Sequence, residues 1–239
     1  MPGAKTNDAV RVRLMSLACR HAATVEHVAL PLTSTAEQIM AMPVQRVSQR
    51  KWTVEEFYAA RDAAPPGERW ELVDGEALVT PSPHWTHQRI VMELTLLLGP
   101  YVKRHALGEL FASPLDVNLE PGLILQPDIL VVPPGELRVR SDTVRHLVLA
   151  IETISPSSAR HDRVKKRPKY QKHRVSEYWI VDDTSQTIER WRRDDTRPEI
   201  LSERLVWHPD GAVEPFVLEL TEFFTNVAPS DDDSGRARE

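Results

Sequence analysis

Two carboxylates stand at the ends of apolar segments, where an ionised side chain is costly. Asp128 opens the run 129–132, and Glu152 closes the run 147–151. Each acid therefore needs a metal ion, a cation or several backbone N–H groups as its partner. Paired carboxylates are also the hard oxygen ligands that Mg²⁺ and Mn²⁺ prefer. We predict that the two acids hold a divalent metal ion together. The alternatives are a simple turn at Asp128 and a solvated acid at a strand end for Glu152.

A strongly basic segment follows Glu152 in a chain whose net charge is −5. A cationic patch beside a metal site would suit an anionic phosphate backbone, whereas the alternative for most of these residues is a solvated helix face. Within the segment, Asp162, Lys166 and Tyr170 are spaced by four, which places them on one face of a helix. Pro168 is expected to kink this helix or to begin it. The basic segment contains Arg160, His161, Arg163, Lys165, Lys166, Arg167, Lys169, Lys172, His173 and Arg174.

The elements that would position these residues begin with a short helix, a hairpin and a long helix. Thr53 is the expected N-cap of the short helix, which ends before Pro65. Asp74-Gly75 favours the tight turn of a hairpin between strands 70–73 and 76–79. Apolar residues recur at helical spacing between Trp85 and Arg104, and these predict a long helix with one buried face.

The second half of the chain is rich in strand patterns. Alternation over 115–119 predicts a half-buried strand, and the apolar runs 124–132 and 147–151 predict core strands covered on both faces. The basic helix and a further core strand at 178–181 follow. Additional strands are expected at 187–191, 200–207 and 216–218, with a helical turn at 220–224. The predicted fold class is α/β (an α+β mixed sheet), with a core of helix, three strands, helix and strand and extra β elements on either side.

Length and composition predict one soluble domain. The chain has 239 residues, of which 41% are hydrophobic, and lacks an apolar run of the roughly 18 residues that a membrane helix needs. Cys19 is the only cysteine. A single cysteine excludes an internal disulfide, cysteine-rich zinc sites and iron–sulfur clusters. It also predicts that the protein resides in the reducing cytoplasm. The negative net charge argues against an indiscriminate nucleic-acid coat protein.

Both ends of the chain are expected to lie outside the folded domain. Residues 1–48 have no sustained period and are predicted to be a weakly ordered extension, with Met40 or Met42 as the natural start. Residues 49–226 form the predicted domain, and 227–239 form an acidic, disordered tail.

The order of these features resembles the PD-(D/E)XK nuclease fold, in which a Pro-Asp opens one core strand and a Glu closes the next. More specifically, the chain is similar to the Uma-two family of restriction-endonuclease-like proteins over roughly residues 50–225. The stretches that carry the resemblance are Trp70-Glu71-Leu72-Val73-Asp74-Gly75-Glu76, His87, Pro127-Asp128, Glu152 with Ser155-Pro156-Ser157, Asp162 with Lys166 and Tyr170, and Glu177-Tyr178-Trp179-Ile180-Val181-Asp182.

This resemblance implies a metal-dependent endonuclease, with nucleic acid, in the first place DNA, as its substrate. Asp128 and Glu152 would be the ligands of Mg²⁺ or Mn²⁺, and a lysine would orient or activate the attacking water. The products would carry a 5′-phosphate and a 3′-hydroxyl. The chain departs from the general nuclease pattern at Ile154, where that lysine normally stands. The chain resembles a family in which this lysine has moved to the following helix. Lys166 is the first candidate there, and Lys165 and Lys169 are the next.

Two further residues are accessory candidates. Glu71 is either a third acid that reaches the metal or the polar face of a strand, and His87 is either a ligand or, more simply, a satisfied histidine near a helix start.

A homodimer would suit a nuclease that cleaves both strands of a DNA duplex. Three other functions are also compatible with the sequence. The first rival is an inactive nuclease fold that binds nucleic acid, for which Ile154 is the argument. The second is a glycoside hydrolase that uses the Asp/Glu pair without metal. The third is a structural acid pair, in which each carboxylate would be paired with an arginine.

Overall fold

The structure is a computed structural model that describes residues 45–46, 50–80, 82–138, 144–155 and 158–228. The predicted N-terminal extension lies outside the described residues except for the short strand β1, Gln45–Arg46. The proposed start at Met40 or Met42, the Pro156-Ser157 dipeptide and the acidic tail beyond residue 228 also lie outside them.

The described chain contains four helices and thirteen strands. The helices are α1 Val54–Ala63, α2 Trp85–Arg104, α3 (residues 159–172) and α4 Leu220–Val227, and a 3₁₀ turn spans Glu136–Arg138. The strands after β1 are β2 Arg69–Val73, β3 Glu76–Thr80, β4 Glu109–Ala112, β5 Val117–Glu120, β6 Leu123–Leu125, β7 Ile129–Val132, β8 Leu149–Ile154, β9 Glu177–Asp182, β10 Thr187–Arg192, β11 Glu199–Leu201, β12 Arg204–Trp207 and β13 Phe216–Glu219.

The first three predicted elements are confirmed. Thr53 caps α1 in a capping box: the Glu56 N–H donates to Thr53 Oγ1 at 3.2 Å, and the Thr53 N–H donates to Glu56 Oε2 at 3.0 Å. β2 and β3 form the predicted hairpin, in which Asp74 and Gly75 have φ angles of 54° and 78°. Helix α2 has the predicted bounds.

The described strands form two larger sheets and one separate pair. The smaller sheet has the order β1-β3-β2-β6-β5, and the central sheet has the order β11-β10-β9-β8-β7-β4. In the central sheet only β8 and β9 are parallel, and α3 makes the crossover between them. Strands β12 and β13 form a separate pair. The fold is a mixed α+β fold, as predicted.

The predicted assignment of the three core strands after α2 needs correction. β4 was not predicted, yet it pairs with β7 at the edge of the central sheet. β5 and β6 belong to the smaller sheet, so the apolar run 124–132 is two strands in different sheets. The chain changes sheets at Gln126, whose N–H donates to the Glu71 side chain, and at Pro127, which has no N–H for a ladder. Likewise, the predicted strand 200–207 is divided between β11 and β12.

Strands β7 and β8 are covered on both faces, as their apolar sequences indicate. Ile129 and Val131 pack in the cluster that includes α2 and α4, whereas Leu130 and Val132 pack in the cluster on the other face, which includes Tyr170 of α3. In the described part of the chain, no helix combines the length and the apolar character needed to cross a membrane.

Candidate active site

Asp128 and Glu152 lie next to each other at one end of the central sheet. Strands β7 and β8 are antiparallel with Ile129 opposite Ile151, so the register continued by one residue places the two acids opposite each other. The Thr153 N–H donates to Asp128 Oδ2 at 2.7 Å. The two acidic residues are only 2% and 1% exposed. The structure thus brings the predicted pair together in a buried position.

Asp128 has two side-chain partners. The Arg69 guanidinium donates to its Oδ1, and His87 Nε2 lies 3.1 Å from its Oδ2. Burial opposes ionisation of Asp128, but Arg69, His87 and the Thr153 N–H outweigh it and hold the pKa of this carboxyl well below its usual range. The pairing of Asp128 with an arginine is what a purely structural acid pair would show. Glu152 does not share that arrangement, because its partner is a lysine.

Arg69 was missed by the sequence reasoning. Its signal was its place two residues before Glu71, because alternate residues of a strand face the same side. Trp70 and Leu72 of β2 pack with Phe57 beneath the smaller sheet, and Arg69 and Glu71 therefore point toward the acids of the central sheet.

Lys166 is the centre of the second half of the site. Its Nζ lies 2.7 Å from Glu71 Oε2, 3.0 Å from Glu152 Oε1 and 3.1 Å from Asp162 Oδ1. Burial alone would lower the pKa of Lys166, but these carboxylates raise it above its usual value. Lys165 and Lys169 instead pair with acids of the β2–β3 hairpin. Of the three candidate lysines, only Lys166 contacts the acids of the site.

Helix α3 has an irregular form that presents Asp162, Lys166 and Tyr170 to the site. It consists of Ala159–His161, a π-helical turn Asp162–Lys166 and Arg167–Lys172. Pro168 lies in the first turn of the last segment, where its missing N–H costs little. The Tyr170 hydroxyl donates to Glu152 Oε1 at 3.3 Å. The proline is thus accommodated without interrupting the helix.

Ile154 occupies the position where the lysine of the general nuclease pattern would stand. Its side chain is 7% exposed and packs in the hydrophobic cluster with Ala150. The position two after Glu152 is thus part of the core, and the ammonium beside Glu152 comes from Lys166 of α3, which packs on the same face of β8.

The site carries more negative than positive charge. The carboxylates of Glu71, Asp128, Glu152 and Asp162 face two permanent cations, Arg69 and Lys166, which leaves a formal excess of two negative charges. Burial and then the neighbouring acids raise the pKa of Glu152 well above its usual value, because Lys166 compensates them only in part.

This donor set fits a divalent cation in charge and in ligand type. Among the described residues, no group of three or more His, Cys, Asp or Glu side chains is arranged to hold a metal ion. The ligands predicted from the sequence are the pair Asp128 and Glu152. Mg²⁺ commonly binds through one or two carboxylates and keeps its other positions for water and phosphate.

The predicted cationic patch is largely neutralised, which corrects that expectation. Besides the three lysines, Arg163 pairs with Asp182 and Glu189, and Lys172 pairs with Glu120. Acids of the hairpin and of the neighbouring strands face α3, so most of its cations hold the helix in place.

Comparisons with known proteins identify the family and the fold of the chain. A family model named Uma2, described as "Putative restriction endonuclease", matches residues 54–220. A crystal structure from Anabaena variabilis, described as that of "a putative nuclease belonging to DUF820", is similar to the chain with a TM-score of 0.61 and 21% sequence identity. The match covers 74% of this chain and 99% of the other, and at this identity it shows the fold alone. A search of curated proteins gave no match.

Proposed function

Because the chain belongs to the Uma2 family of restriction-endonuclease-like proteins, we propose that it is a metal-dependent endonuclease that hydrolyses phosphodiester bonds of DNA. The observation that carries the proposal is the contact of the Lys166 ammonium with Glu152, directly beside Asp128. Two acids and a lysine are the groups that this reaction requires. Membership of this family also removes the support for a glycoside hydrolase.

Asp128 and Glu152 would hold Mg²⁺ or Mn²⁺. When bound, the ion supplies Lewis acidity toward the phosphate and lowers the pKa of a coordinated water. The partners of the two acids hold them in place: the Thr153 N–H and His87 orient Asp128, and Tyr170 orients Glu152.

Lys166 would act as a charged hydrogen-bond donor. The neighbouring carboxylates raise the pKa of Lys166 and favour its protonated form, so it would orient the attacking water or stabilise charge on the phosphate. Glu71 and Asp162 are positioning residues, because they hold the ammonium against Glu152.

A nuclease fold that only binds nucleic acid is the rival that the experiment must separate. The argument for it was Ile154, and that argument is weakened because Lys166 supplies an ammonium from α3.

The test is cleavage of duplex DNA, single-stranded DNA and RNA in Mg²⁺ or Mn²⁺, with EDTA as the blank. We expect wild-type protein to cleave duplex DNA, and Asp128→Asn and Glu152→Gln to lose at least about 100-fold in rate. The matched control is Glu189→Gln, since Glu189 is also buried and ion-paired but lies on β10; it should keep wild-type activity. Binding of nucleic acid without cleavage in either metal would favour the rival.

A further inference from the structure

The Arg69 guanidinium binds a carboxylate oxygen of Asp128 that the proposed metal ion would need as a ligand. Its guanidinium donates to Asp128 Oδ1, while the other oxygen of the carboxylate already accepts from the Thr153 N–H and contacts His87. Within the described residues, both oxygens of this ligand are therefore engaged by the protein itself.

The partners of Asp128 differ in their freedom to move. Thr153 donates through its backbone, which is held in β8. The side chains of Arg69 and His87 are 20% and 17% exposed, whereas that of Asp128 is 3% exposed. An ion that arrives from solvent thus reaches Oδ1 where the guanidinium now lies, and a long, partly exposed arginine can yield that position.

Electrostatic repulsion prevents the guanidinium and a metal ion from binding the same oxygen of Asp128 together. A guanidinium and a divalent cation on one carboxylate oxygen repel each other at short range in a poorly solvated site. Arg69 is also attracted by Glu71, Glu152 and Asp162, so a displaced guanidinium remains beside the site.

We propose that Arg69 competes with the divalent cation for Asp128, and that the displaced guanidinium binds a non-bridging oxygen of the scissile phosphate. The proposal rests on the proposed function. The planar fork of an arginine matches the geometry of phosphate, and its charge is permanent. Arg69 thus neutralises Asp128 before the ion binds and neutralises the substrate afterwards.

Calorimetric titration with Mn²⁺ tests the first half. We expect Arg69→Gln to bind Mn²⁺ on the order of tenfold more tightly than wild type, because a competing cation is removed. Arg61→Gln is the matched control, since Arg61 forms a partly buried ion pair with Asp116 at 2.8 Å on another element; its affinity should equal that of wild type.

Binding of a fluorescent duplex DNA tests the second half. Ca²⁺ at saturating concentration replaces Mn²⁺, because it also takes oxygen ligands, and a denaturing gel verifies that the probe is intact. Arg69→Gln should bind the duplex about tenfold more weakly than wild type, since a charged hydrogen bond to phosphate is lost. The two affinities thus move in opposite directions, whereas a merely structural role would weaken both.

If Arg69→Gln does not fold, NMR of the wild-type protein with nitrogen-labelled arginine side chains provides the test instead. The guanidinium signal of Arg69, assigned from Arg69→Lys, should shift on addition of Mg²⁺, and an unchanged signal at saturation overturns the proposal.

Equal or weaker Mn²⁺ binding by Arg69→Gln, or undiminished DNA binding, also overturns it. Failure of the proposed function is distinguished by Asp128→Asn. If that variant binds Mn²⁺ as wild type does, or if neither wild type nor Arg69→Gln binds it, there is no metal at Asp128 and both proposals fall together.

Discussion

The ammonium of Lys166 lies 3.0 Å from the Oε1 atom of Glu152, across a separation of 14 residues. A lysine on the strand of Glu152 would have to replace Ile154, which is part of the hydrophobic core. In this chain the ammonium beside Glu152 is therefore supplied by the following helix.

Replacing Lys166 by methionine should destabilise the protein by about 3–5 kcal/mol at pH 7, because buried carboxylates lose their counter-ion. Urea unfolding measures this loss. The neighbouring Lys165 is the control: its pair with Glu76 is partly exposed on both sides, so Lys165→Met should cost about 1 kcal/mol or less. Similar losses in the two variants would contradict the central position of Lys166.

Divalent cations should stabilise the folded protein. At 100 times its dissociation constant a ligand adds about 2.7 kcal/mol, which corresponds to roughly 5–10 °C in Tm for a chain of this size. A thermal melt with and without Mg²⁺ measures the shift, and EDTA should reverse it. The shift should vanish in Asp128→Asn and persist in Glu189→Gln; a shift of equal size in both variants would place the ion elsewhere.

The protein should lose stability in acid through His161. Burial, and then the Lys166 ammonium, lower the pKa of His161 from 6.5 to about 4, although Glu71 and Asp162 act in the opposite direction. The unfolded chain therefore takes up this proton first as the pH falls, so stability is full above pH 6.5 and declines between pH 6.5 and 4, by up to about 3 kcal/mol.

Denaturant unfolding at pH 7 and pH 4.5 checks this prediction. His161→Gln should lose less stability between the two pH values than wild type does. The exposed His208 provides the control, since His208→Gln should follow wild type. If wild type and His161→Gln decline equally, His161 is not the group responsible.

Gly108 should not tolerate a side chain. Its φ angle is 127°, and a Cβ there would lie 1.8 Å from the carbonyl oxygen of Val132, where β4 pairs with β7. Gly108→Ala should therefore cost about 2–4 kcal/mol. Gly99 in α2 has open space beyond its chain neighbours. Because Pro100 follows it and disfavours a Cβ on the preceding helical residue, the usual gain of about 0.5–1 kcal/mol is offset, and Gly99→Ala should change stability by less than about 1 kcal/mol. Thermal unfolding of the two variants should show a much larger loss for Gly108→Ala than for Gly99→Ala, and a harmless Gly108→Ala would contradict the β4–β7 pairing.

Much of the fold was predictable because its signals are local. Helical spacing of apolar residues predicted α2, Asp74-Gly75 predicted the hairpin, and Thr53 predicted the start of α1. These patterns depend on residues within a few positions of one another, where period and turn chemistry act directly.

Strand pairing was less predictable. The alternation of β5 correctly indicated a strand, but alternation does not identify the sheet that a strand joins. β4 has no clear pattern of burial, so its place at the edge of the central sheet was missed.

The amino-acid sequence alone places Asp128 and Glu152 at the ends of core strands and a basic segment after them, and it has Ile154 where the general nuclease pattern has a lysine. The folded structure was needed to identify the lysine that contacts the acids, the ion pairs of most other cations of α3, and the contact of Arg69 with Asp128. The apolar pattern of a segment indicates which of its residues are buried. The partner of a charged side chain, by contrast, is set by sheet register and helix packing between segments that are distant along the chain.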